Sequence, residues 1–66
     1  MNQKELRERL IDIVNAGLSV RAISRNVAVS YDLLAKFKQG RLLLIEKDAK
    51  KLDQYLSNVK IPLRQH

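Results

Sequence analysis

The stretch SRNVAVSYDLLAKF, Ser24 to Phe37, decides how this chain folds. Its apolar residues fall at 27, 29, 33, 34 and 37, and a serine stands on either side of a short gap. It can be read as one helix, two helices or none. Ser30 favours two, because a serine hydroxyl accepts readily from the backbone N–H groups of a following helical turn. Upstream, Val20, Ile23 and Val27 have helical spacing behind Ser19, another good N-cap. Downstream, Leu33, Leu34 and Phe37 form an apolar face that stops at Gly40. The spacing predicts one helix over Val20 to Asn26 or Val27 and a second over Tyr31 to Gln39, broken around Ala28–Ser30.

Working outward, Leu6, Leu10, Ile13 and Val14 share one helical face, which predicts a first helix from about Gln3 to Ala16. Asn2 can cap its start, with Glu5 three residues later in a variant of the capping box. Gly17 suits the left-handed position just past its end. A final helix is expected over Leu44 to Asn58, with Ala49, Leu52, Leu56 and Val59 facing inward and Ile45 four residues ahead. Glu46 and Lys50 form a favourable i, i+4 pair on its outer side. Strand signals are poor, since no segment alternates cleanly and no hairpin dipeptide occurs. The expectation is an all-α domain over residues 1–59, with four helices and room for a fifth, and a basic tail over 60–66, extended or frayed. Leu6, Leu10, Ile13, Val14, Ile23, Val27, Val29, Leu34, Phe37, Leu52 and Leu56 are its expected core.

Two short helices joined by a tight turn make a helix-turn-helix pair, here over residues 20–39. Counting from Val20, apolar residues occupy the fourth, eighth, tenth, fifteenth and eighteenth positions: Ile23, Val27, Val29, Leu34 and Phe37. The fifth, where the helices cross, holds the small Ser24, and the ninth, in the turn, holds Ala28. The 23-residue segment SVRAISRNVAVSYDLLAKFKQGR resembles the helix-turn-helix of the phage Cro and repressor (XRE-like) family. The flanking helices fit the layout of that family, which implies a lambda-repressor-like fold. The family usually carries alanine at the fifth position and glycine at the ninth. Ala28 must therefore adopt a turn conformation that glycine makes easier, at about 1 kcal/mol if left-handed. After Gly40 the family often has a polar, proline-containing loop; here Leu42, Leu43, Leu44 and Ile45 stand instead.

The resemblance implies a double-stranded DNA partner, with the second helix of the pair in the major groove. Ser30, Tyr31, Asp32, Ala35, Lys36 and Gln39 are its outward positions. Matching family positions points to Tyr31, Asp32 and Lys36 as base readers, with Ser30 close by. Lys36 can donate to guanine and Asp32 can accept from cytosine N4. Tyr31 can stack on a thymine methyl or bond a phosphate, and Gln39 can reach adenine or the backbone. Ser19, Arg21, Arg25, Lys38 and Arg41 are expected at phosphates. A phosphate would relieve the disfavoured position of Arg21 near a helix N-terminus, where Ser19 also leaves backbone N–H groups free. Each of these polar residues can equally be a solvated or capping side chain.

Charge points the same way. The chain carries 13 Lys and Arg against 7 Asp and Glu, a formal +6. Ser19 to Arg41 holds five basic residues and one acidic, so +4 of that sum lies in the helix pair. Such a balance suggests a polyanionic partner. There is no cysteine and a single histidine, His66, so no metal cluster, cofactor or catalytic constellation is expected, and no small-molecule substrate. No run approaches the about 18 apolar residues of a membrane span. The polar N-terminus lacks a signal peptide's apolar core, which favours the cytoplasm. Leu42, Leu43, Leu44 and Tyr55, with Ile61 and Leu63, are candidates for a homodimer surface, or simply complete a small core. The leading expectation is a Cro-like phage repressor covering an operator. A small phage-encoded inhibitor or adaptor that grips a host protein is the alternative from another class. An antitoxin repressing its own operon, or a restriction controller, would share the DNA activity.

Overall fold

The computed structural model describes residues 2–59, which form four α-helices and no strand: α1 (Gln3–Asn15), α2 (Val20–Val27), α3 (Tyr31–Lys38) and α4 (Glu46–Asn58). The expectations for Met1 and the 60–66 tail, Ile61 and Leu63 included, lie outside the described residues. Each helix packs on two others: α1 on α4 and α3, α2 on α3 and α4. No helix among the described residues is long and apolar enough to cross a membrane.

Local chemistry sets where the helices start and stop. Asn2 Oδ1 accepts from the Lys4 and Glu5 N–H groups at 2.8 and 3.3 Å. Ser19 Oγ accepts from the Ala22 N–H at 3.0 Å. Three successive helices then end in the same way, on a residue with positive φ: Gly17 at 123°, Ala28 at 58° and Gly40 at 79°. In each, the next N–H folds back onto the last turn: Leu18 to Ile13 C=O, Val29 to Ser24 C=O and Arg41 to Lys36 C=O. This is the Schellman closure, which satisfies carbonyls that the helix end leaves open.

Ala28 is the one non-glycine among them, and it carries the expected left-handed strain. Ser24 secures that turn a second time, because its hydroxyl donates to the Val29 C=O at 2.6 Å. The serine at the close crossing is thus more than small. Ala28→Gly should raise stability by about 0.5–1 kcal/mol, since the relieved strain exceeds the entropy glycine adds to the unfolded chain. A thermal melt checks this, and a lower melting temperature would contradict it.

The core is built from Leu6, Leu10, Ile13, Ile23, Val27, Val29, Leu34, Phe37, Leu44, Ala49, Leu52 and Leu56. Four expectations need correction. Val14 is half-buried at the rim rather than in the core, and Leu33 is exposed, because the eight-residue α3 buries only the line through Leu34 and Phe37. The last helix begins at Glu46, not Leu44. Leu44 is itself core, 6% exposed, so it cannot lie on a surface between copies. The reason is Gln3. Its Nε2 donates to the Leu44 C=O at 3.0 Å, and its Oε1 accepts from the Leu44 N–H at 3.2 Å. This clasp pins the non-helical segment 42–45 to the start of α1 and turns Leu44 inward. Leu42 and Tyr55 are half-buried against the core, while Leu43 and Ile45 are exposed on either side of Leu44. Arg9 ties α1 to α4 through the Asp53 carboxylate, the Asp53 C=O and the Ser57 hydroxyl.

Candidate nucleic-acid interface

α3 is held from behind and open in front. Leu34 and Phe37 anchor it to the core. Asp32, Ala35, Lys36 and Gln39, spaced i, i+3, i+4 and i+7, line the opposite side of the helix. Asp32 and Gln39 are exposed and Ala35 and Lys36 half-exposed. Ala35 keeps the middle of this face low, so that the three longer side chains stand around it. Lys36 Nζ lies 3.2 Å from Asp32 Oδ2, one turn away. Ser30 sits exposed at the N-cap, and its hydroxyl makes no cap bond.

Tyr31 belongs to the flank rather than to this face. The Arg21 guanidinium carbon lies 4.6 Å from the centroid of its ring. A cation at that distance is attracted by the negative face of the aromatic. The contact crosses from α2 to α3 and holds Arg21 beside the N-terminus of α3. Both partners remain exposed.

The remaining basic residues of the helix pair lie near the ends of its two helices. Arg25 is exposed in the last turn of α2. Lys38, half-buried, ends α3, and Arg41 is exposed just past it. Ser19 is exposed, but its hydroxyl is engaged in capping α2. Of the expected site residues, the helix pair therefore brings Ser30, Asp32, Ala35, Lys36 and Gln39 to α3, flanked by Tyr31 with Arg21. Leu42, Leu43, Leu44 and Tyr55 do not form one surface, since Leu44 is core.

One cation at this end was not expected from the sequence. Arg7, on α1, places a terminal guanidinium nitrogen so close to Gly40 that a Cβ there would lie 2.8 Å from it. Gly40 is required by the left-handed closure of α3, and the flexible end of Arg7 lies beside it. Arg7 adds positive charge at the carbonyl end of α3, where a cation is favourable. Nothing local to Arg7 signals this; it follows from α1 packing on α3.

The chain matches no protein-family model, and no curated protein or solved structure matches it.

Proposed function

We propose that this chain is a sequence-specific double-stranded DNA-binding regulator, a Cro-like repressor that covers an operator in the cytoplasm. The role is one of binding, not catalysis. The observation that carries this reading is the placement of charge and shape together. An open helical face bearing Asp32, Lys36 and Gln39 stands on a helix pair that also carries Arg21, Arg25 and Arg41 exposed and Lys38 half-buried. An α-helix of this kind fits the major groove, and cations at its edges suit the phosphates on either side. Tyr31 supports the reading indirectly, by steadying Arg21. Two copies on a symmetric site, with half-sites about 34 Å apart, would multiply contacts that one module makes weakly. The exposed Leu43 is the part of the expected dimer surface that remains available.

The test is selection of bound fragments from genomic DNA by the purified protein, followed by affinity measurements across a salt series. The expected outcome is a palindromic motif. Log affinity should fall with log salt with a slope of about −3.6 per protomer, four cations at about 0.9 each. No enrichment and no salt dependence would overturn the reading.

A second reading draws on Leu33, Leu43 and Ile45, which are exposed. It makes the domain an adaptor that grips a host protein. Partner binding that is unchanged by Arg25→Ala and Lys36→Ala would favour it.

A further inference from the structure

The outward face of α3 presents a hydrogen-bond donor and an acceptor at a set spacing. Lys36 Nζ and Asp32 Oδ2 lie 3.2 Å apart, with 44% and 70% of their side chains exposed. Asp32 is the sole acidic residue between Ser19 and Arg41. A carboxylate is poorly placed on a surface that meets phosphates, unless it finds a donor there. An exposed pair one turn apart adds little to helix stability, so stability is a weak reason for it to be there.

The major-groove edge of a G·C pair has the complementary arrangement. Guanine O6, an acceptor, lies beside the cytosine N4 amino group, a donor. Those two atoms are themselves joined by a hydrogen bond of about 2.9 Å. The Asp32–Lys36 spacing matches theirs. We propose that the two side chains act as one unit on a single G·C pair in each half-site. Lys36 Nζ donates to guanine O6 and N7, and Asp32 Oδ2 accepts from cytosine N4. An A·T pair offers the same donor–acceptor spacing at adenine N6 and thymine O4 but fits less well, because Lys36 would find one acceptor there in place of two and the thymine methyl crowds it. The pair has no net charge, so it contributes choice of sequence, while Arg21, Arg25, Lys38 and Arg41 contribute attraction. This inference rests on the reading of α3 as the DNA-facing helix.

The experiment is the same fragment selection run with the natural chain, Asp32→Ala and Lys36→Ala, with circular dichroism confirming that the variants fold. Both substituted residues are outside the core, so folding should be retained. The expected result is a G·C position in each half-site of the natural motif that loses its preference in both variants. Discrimination there should drop by roughly 5- to 100-fold, the equivalent of one good base contact. Other positions should hold. If the two variants alter different positions, none, or an A·T position, the paired reading is overturned and the DNA-binding role stands. If the natural chain enriches no motif, both fail.

Discussion

Leu34→Ala should leave much of the chain unfolded at 37 °C. Leu34 is completely buried, on the helix that packs against both α1 and α2. Truncating such a leucine removes its apolar burial and leaves a cavity, together about 3–5 kcal/mol. A chain of 66 residues has a total stability on the order of 3–10 kcal/mol. The loss is therefore a large fraction of the whole. At about 4–8 °C per kcal/mol for a domain of this size, the melting temperature should fall by at least about 12 °C. Far-ultraviolet circular dichroism on heating measures it. A fall of less than about 5 °C would mean that α3 is not held through Leu34.

The second large effect concerns binding. Arg21→Ala with Arg25→Ala should weaken DNA affinity about 10- to 100-fold near physiological salt, and do so almost equally for all sequences. The salt slope should become shallower by about 1.8 per protomer, two phosphate contacts at about 0.9 each. Both residues are exposed and outside the core, so melting should barely change. Arg21 also lies over the Tyr31 ring, so Tyr31→Ala should reproduce part of the loss and Tyr31→Phe should not. A loss confined to one DNA sequence, with the slope unchanged, would show that these arginines do not sit at phosphates.

Most helix ends were legible because their signals are local. Asn2, Ser19, Gly17 and Gly40 each act within a few residues of the backbone groups they satisfy. The break at Ala28–Ser30 was legible from the spacing of the apolar residues on either side, although Ser30 makes no side-chain cap bond, and the left-handed Ala28 was suggested only by the resemblance. What remained hidden depends on contacts between distant parts of the chain. Gln3 meets Leu44 across 41 positions, and no local pattern reveals that it will take both backbone groups of that leucine. Leu44 therefore read as the start of the last helix, and Leu42–Leu44 as either a surface between copies or part of the core. In the fold the run Leu42–Ile45 is a pinned connection that gives Leu44 to the core and leaves Leu43 and Ile45 outside. At the candidate site, the outward spacing of Asp32, Lys36 and Gln39 followed from the helical period. The position of Tyr31 under Arg21 and the approach of Arg7 to Gly40 did not, because each depends on how two helices meet.

α2 and α3 are eight residues each. Isolated helices shorter than about 12–15 residues barely hold in water. A peptide copied from Ser19–Arg41 would accordingly be a poor mimic, because the shape it needs is lent by α1 and α4. Whatever the ridge grips, it should let go in the same all-or-none step in which the domain melts.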